Sequence, residues 1–264
     1  MSLRKRLKRL RARIADGVDE LDRRLRPTRD VAVISYPKSG RTWLRFMLNE
    51  AGVKLLFEHA GAENRDASLL EEISNKPLEW CEWRVIFLHR DPRDTVVSSY
   101  FEATKRLKPS QRFHGTISEF MRDPRYGLAK IAGFNLLWLK CGGLLRDFTA
   151  ASYEDLHRDT PGEISRLIHF ATGEAASGKR VSRAVQAGAF ENMRSVERSL
   201  GGKMDERLKL GGGCLDDPES LKTRKGKVGG WCDYFGSDDA AHMNSVLDEL
   251  NYWESIAELS PSRC

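Results

Sequence analysis

The strongest constraint on this chain is a short apolar run that meets a glycine turn and then a helix. VAVIS (31–35) is continuous, apolar and β-branched, the pattern of a strand covered on both faces. YPKSG follows, with the proline and glycine of a tight turn. TWLRFMLNEAG then sets Trp43, Phe46, Met47 and Leu48 along the apolar side of a helix that stops at Gly52. The pattern recurs. RVIFLH (84–89) reads as a second buried strand, and DPRDTVVSSYFEATKRL as the helix after it, with Asp91 as N-cap and Pro92 at N1. AGFNLLWLKCGGLL is a further helix, and FTAASYEDL a third strand that ends in a turn. Strands alternating with helices predict a single α/β domain whose central parallel sheet is flanked by helices on both faces. Sheets of that kind bind ligands at the carboxyl ends of their strands.

The charge is unevenly placed. The formal net charge is +6, and residues 1–30 hold eleven Lys or Arg against five Asp or Glu, which accounts for all of it. Within that stretch Leu3, Leu7, Leu10, Ile14, Val18, Leu21 and Leu25 form one apolar stripe up to Pro27. The expected division is a basic amphipathic helix over 1–27 and a domain over 28–264. The helix has three uses open to it: docking on its own domain or a second subunit, contact with an anionic membrane surface or acidic partner, and nucleic acid. The last is disfavoured because aromatic interleaving and a recognisable nucleic-acid module are both missing. Five cysteines without CxxC spacing argue against a disulfide framework or a zinc site, and no metal is expected. No apolar run reaches the roughly 18 residues of a membrane span, and no secretory signal pattern stands at the N-terminus, so a cytoplasmic protein is expected.

Three basic stretches carry chemistry. In YPKSGRTW, Gly40 lets the backbone approach a ligand, Ser39 and Thr42 offer hydroxyls, Lys38 adds a mobile charge, and the helix that follows opens with unpaired N–H groups. In HRDPRDTVVSSY, Arg90 closes a strand and Ser98 lies eight residues on, two turns into the next helix. The pair could grip a second phosphate; a surface ion-pair cluster of Arg90, Asp91, Arg93 and Asp94 is the plainer account. In TRKGKVGGW, Arg224, Lys225 and Gly226 read as a mobile loop able to close over a phosphate. A fourth stretch, GEAASGKR (173–180), imitates a P-loop but follows a helix and lacks the final hydroxyl, and is expected to be a loop between helices.

In this order the three stretches resemble the sulfotransferases that use 3′-phosphoadenosine 5′-phosphosulfate (PAPS), over roughly residues 30–255. YPKSGRTW is similar to the family's 5′-phosphosulfate loop with Arg41 in place of the usual Thr. RDPRDTVVSSY is similar to its 3′-phosphate motif, and RKGKVGGW to its late signature with Gly230 in place of Asp. The resemblance implies PAPS as co-substrate without a metal, with sulfonate passing in line to a hydroxyl or amine and release of 3′-phosphoadenosine 5′-phosphate (PAP). It implies that Lys38 meets the leaving oxygen and that the backbone from Ser39 through Gly40, Arg41 and Thr42 to Trp43 holds the 5′-phosphate. Arg90, Ser98, Arg224, Lys225 and Gly226 would hold the 3′-phosphate, with Ser98 grouped with Lys38 and His59 around the chemistry. Trp43, Tyr153 and Phe190 match positions facing adenine, while a core role for these rings stays open. The base corresponds to His59, with Glu58 as the alternative; the lysine that usually precedes that histidine by two places is Phe57 here.

The acceptor is expected to be a small molecule or carbohydrate alcohol, lined by segments 60–80, 104–127 and 200–222, whose polar composition favours a polar alcohol over a flat phenol. Two other function classes remain: a nucleoside-triphosphate kinase, which leaves the Arg90 motif unexplained, and a nucleotide-binding docking module working through residues 1–26.

Overall fold

The structure is a computed structural model describing residues 28–62 and 76–259. The amphipathic helix expected over 1–27, and most of the acceptor segment 60–80, lie outside the described residues.

Four strands, β1 (Val31–Ser35), β2 (Leu56–Glu58), β3 (Arg84–His89) and β4 (Asp147–Ser152), form one sheet in the order β2–β1–β3–β4. Every pairing is parallel. Successive side chains of a strand face opposite ways, so each central strand feeds two cores. Ala32, Ile34, Val85 and Phe87 pack on one face with Phe134 and Trp138 of the helix Leu128–Lys140. Val31, Val33, Ile86 and Leu88 pack on the other with Leu44 and Leu48 of the helix Arg41–Glu50 and Leu167 of the helix Thr160–Thr172. These helices are α1 (Arg41–Glu50), α2 (Pro92–Phe101), α3 (Ile117–Arg122), α4 (Leu128–Lys140), α5 (Tyr153–Arg158) and α6 (Thr160–Thr172). They are followed by α7 (Gly178–Gly188), α8 (Phe190–Ser199), α9 (Ser237–Glu249) and α10 (Tyr252–Leu259). The chain is thus an α/β domain with helices on both faces of a parallel sheet.

Chain order sets where a ligand can enter. From β1 the chain crosses to β2 on one edge, while β3 and β4 lie on the other side, so the order reverses between β1 and β3. The loops leaving those two strands diverge there and open a crevice. They are the turn 36–40 and the segment beginning at Arg90.

Local chemistry fixes the boundaries. The side chain of Asp91 accepts from Arg93 N at 2.9 Å and caps α2, with Pro92 in its first turn. Past Phe101 the helix widens into a π turn, Glu102–Arg106. FTAASYEDL departs from expectation: the strand stops at Ser152, whose hydroxyl accepts from Asp155 N at 2.9 Å and caps α5. The residues YEDL are therefore helix, and Tyr153 stands at the mouth of the crevice. In GEAASGKR, Ser177 caps α7, so the segment joins two helices and GKR opens the second.

His89 is buried against Phe87, and burial lowers its pKa to about 4. The unfolded chain takes up this proton below about 6.5 and the folded chain only below about 4, so the unfolded state binds more protons in that window. Stability contributed by neutral His89 is complete above pH 6.5 and is lost as pH falls towards 4, by up to ~3 kcal/mol. Urea midpoints at pH 7 and pH 5 should show a fall that is smaller in His89→Leu.

Candidate active site

The turn after β1 is built for backbone approach. Lys38 and Gly40 both take positive φ, at 74° and 98°. A Cβ on Gly40 would sit 2.5 Å from Cδ2 of Tyr153, so space and dihedral both demand glycine there. Gly40 is the N-cap of α1 and supplies no side-chain cap, leaving the first-turn N–H groups of α1 to face the crevice. Ser39 departs from expectation. It is 1% exposed, its N–H donates to Tyr36 O at 3.4 Å, and its hydroxyl is buried beneath the turn without a partner. Its side chain therefore does not offer a hydroxyl to the crevice.

Above the turn is a cavity of about 620 Å³. Lys38, Gly40, Arg41, Thr42, Trp43, His59, Arg90, Ser98, Tyr153, Phe190, Arg224, Lys225 and Gly226 all line it. Three stretches spread over nearly two hundred residues of sequence thus converge on one space, and of the expected residues Ser39 alone does not line it. The rings form one wall. Trp43 donates from Nε1 to Gly188 O at 2.8 Å and meets Tyr153 edge-on at 5.5 Å. The Arg90 guanidinium lies 4.1 Å over the Tyr153 ring. His157, which the sequence left without a role, completes the wall 4.7 Å from Trp43. Trp43 also packs against the core under α1, so it serves both the core and the cavity.

The late basic loop is anchored, where sequence reasoning expected mobility. Asp94, 3% exposed, accepts from Gly229 N and from Trp231 N, both at 2.9 Å, and lies 3.4 Å from Arg90. Glu197, 1% exposed, accepts from the N–H groups of Lys222 and Thr223 at 2.8 Å each. Arg224 lies 4.4 Å over the ring of Phe101 and donates to the Tyr234 hydroxyl; Lys225 pairs with Asp233 at 3.0 Å. Gly226, at φ 60°, lies so close to Phe190 that a Cβ would come within 2.5 Å of its ring.

A charged network sits at the inner end. Lys38 pairs with Glu102 at 3.4 Å, and Glu102 and Glu197 each lie 4.0 Å from Arg106. Burial pushes the Lys38 ammonium below its ordinary range, against the pull of Glu102. Burial alone would raise the Glu102 carboxyl, but Lys38, Arg106 and Lys222 outweigh it and hold it below the usual carboxylate value. None of Glu102, Arg106, Glu197 and Lys222 belongs to a sequence pattern, and only the fold assembles them.

His59 follows β2 directly, and its Nδ1 lies 2.9 Å from the Ser35 carbonyl oxygen. A carbonyl only accepts, so Nδ1 carries the proton and Nε2 is left as the acceptor. Burial first, then the nearby Arg41 charge, lower the His59 pKa to about 4, so the ring is neutral at pH 7. Glu58 is the last residue of β2; unlike His59 it does not line the cavity, and its charge acts on Arg45. Of the three expected acceptor segments, 200–222 contributes Lys209, Leu210 and Lys222, and none of 104–127 reaches the cavity. Among the described residues no group of three or more His, Cys, Asp or Glu could hold a metal ion, and no helix is long and apolar enough to cross a membrane.

Residues 81–253 match the sulfotransferase domain family. The chain belongs to the sulfotransferase family. It is 23% identical to "Sulfotransferase 2A6" of Rattus norvegicus over 83% of this chain and 84% of that protein. It is 22% identical to "Flavonol 4′-sulfotransferase" of Flaveria chlorifolia, over 83% and 78% of the two chains. In fold it is similar to mouse sulfotransferase SULT7A1 complexed with PAP, with a TM-score of 0.59 at 21% identity over 83% of each chain. Retinol dehydratase in complex with androsterone and PAP gives 0.58 at 20% identity, over 90% of this chain and 83% of that one. Sulfonate transfer, and not phosphoryl transfer, is therefore the chemistry of this sulfotransferase.

Because Asp94 ties the late loop to α2, Asp94→Ala should free Gly226 to Trp231 and leave Arg90 buried beside no carboxylate. Affinity for PAP, measured by titration calorimetry, should fall at least tenfold, about 1.4 kcal/mol.

Proposed function

We propose that the cavity takes PAPS and passes its sulfonate to the hydroxyl of a small organic or carbohydrate acceptor. The observation that carries this is the convergence of all three basic stretches, with a neutral His59, on one cavity. The fit of the nucleotide rests on the residues themselves. Arg90 spends its terminal nitrogens on Lys38 O, Lys227 O and Asp94, while its Nε is buried without a partner. Beside it, Ser98, Arg224, Lys225 and Gly226 form the remaining contacts for the 3′-phosphate that distinguishes PAPS from ATP. The backbone N–H groups opening α1, with Thr42, take the 5′-phosphate, and Trp43, Tyr153 and Phe190 take the adenine.

When bound, PAPS supplies an activated sulfonate on a phosphate oxygen. His59 Nε2 accepts the proton of the acceptor hydroxyl as its oxygen bonds to sulfur. The bond from sulfur to the bridging oxygen breaks, and that oxygen keeps the electron pair and leaves with PAP. Lys38 faces the charge that grows there, so its contribution is larger in the transition state than in the ground state.

Calorimetry tests the nucleotide first. PAP should bind at least tenfold tighter than ADP, and Arg90→Ala should reduce that ratio towards one while hardly changing ADP. Equal binding of the two in the wild type would sink the reading. For the chemistry, Lys38→Ala and His59→Ala should each bind PAP yet lose at least a hundredfold in turnover with PAPS, followed by mass detection of the sulfonated acceptor. An active His59→Ala would return the base to Glu58. With His59 titrating near 4, kcat/KM should lose activity only as pH falls well below 6.5.

A further inference from the structure

The inner end of the cavity holds more positive charge than the nucleotide uses. On the reading above, Lys38, Arg90, Arg224 and Lys225 meet the phosphosulfate and the 3′-phosphate. Arg41, Arg45 and Lys222 line the same cavity. Arg45 is accounted for: it lies 4.4 Å over the Phe57 ring, and Glu58 offsets its charge. Arg41 acts on the His59 ring strongly enough to lower its pKa, so its charge lies beside the base.

Lys222 is the unusual one. Its ammonium donates to the backbone carbonyl of Lys209, and among the described residues it forms no ion pair. The two nearby acids are already engaged. Glu102 answers Lys38 at 3.4 Å and Arg106 at 4.0 Å. Glu197 is taken up by Arg106 and by Thr223, whose hydroxyl donates to it at 2.6 Å. Burial, then repulsion from Lys38 and Arg106, brings the Lys222 pKa down to about 7. A half-buried cation crowded by like charges is costly alone and is relieved by an incoming anion. The phosphates of PAP have their own cations and the phosphosulfate has Lys38, so this anion is assigned to the other substrate, with the sulfonate as the rival that the test separates.

Resting on the proposed reaction, we infer that the acceptor is an acidic alcohol. It carries a carboxylate, sulfate or phosphate near its reacting hydroxyl, and Lys222 and Arg41 hold that group while His59 takes the hydroxyl proton. A neutral phenol would leave the Lys222 charge unanswered in a cavity it has just dried. Charge-assisted hydrogen bonds to a fixed anion give the preference its size, at least tenfold over a neutral counterpart.

The test uses enzyme saturated with PAP, so that both phosphate positions are filled before any acceptor is added. If PAP does not bind, the underlying reading has failed, and this is established first. Glucuronate, 3-hydroxyphenylacetate and glucose 6-phosphate are then titrated against glucuronate methyl ester, 3-hydroxyphenylacetate methyl ester and glucose. Rates with PAPS are measured alongside. At least one acid should bind tenfold or more tightly than its neutral partner. Lys222→Met should abolish that preference with PAP binding retained, Lys222→Arg should keep it, and Arg41→Thr should reduce it. Neutral partners binding as tightly in every pair would overturn the inference. So would a Lys222→Met variant that lowers kcat alike for acid and neutral acceptors with the preference intact, since Lys222 would then serve the transferring sulfonate.

Discussion

The carboxylate of Asp94 joins two parts of the chain that lie 135 residues apart, and the geometry of the site depends on it. It accepts two backbone N–H groups of the late loop with one oxygen each, and stands 3.4 Å from Arg90. At 3% exposure, that carboxylate would be costly to leave without these partners. Its position on the first turn of α2 is set by the Asp91 cap and Pro92, which are local features of the sequence. The local rules of one helix terminus thus fix where a loop from the far end of the chain must lie. Arg224, Lys225 and Gly226 come to the cavity wall as a consequence.

The second constraint is charge. Nine Lys or Arg and only two acids, Asp94 and Glu102, line the cavity, so its free form repels itself. The fold disperses this strain by giving the cations aromatic faces, as with Arg90 over Tyr153 and Arg224 over Phe101, and by drawing the Glu197 carboxylate in behind. A polyanionic ligand that binds only the folded state then stabilises it by mass action. Burial first, and the neighbouring Arg41 charge second, keep His59 neutral, which is the state a proton acceptor needs.

Much of the fold was legible because the signals were local. β1 and β3 begin and end where the continuous apolar runs do, and the alternation of strand and helix gave the parallel sheet. Ser152 shows a local signal passed over: its spacing to Asp155 is a helix-start pattern, yet the apolar run into Tyr153 read as strand. Most of the site residues were legible as three motifs. What was not legible depended on distance along the chain. The late loop looked mobile because its glycines are local and its anchors, Asp94 and Glu197, are not. Ser39 looked like a phosphate ligand because residue type does not say which way a turn faces. Glu102, Arg106 and Lys222 share no spacing; a π turn and the bend at 221–224 bring them together.

Glu102 shows why that hidden network matters to the chemistry. Burial works against the ammonium of Lys38, and a lysine that lost its proton there would have nothing to offer a departing oxygen. Glu102, 3.4 Å away, favours the charged form, and is itself held ionised by Lys38, Arg106 and Lys222. The pair keeps both groups charged although each is largely buried. On the proposed reaction, a phosphosulfate repels Glu102 and attracts Lys38, and the charge on the bridging oxygen rises as the bond to sulfur lengthens. Lys38 therefore exchanges a fixed partner for one whose charge peaks as the bond breaks. That difference between partners, and not the lysine alone, is what makes its contribution specific to the transition state.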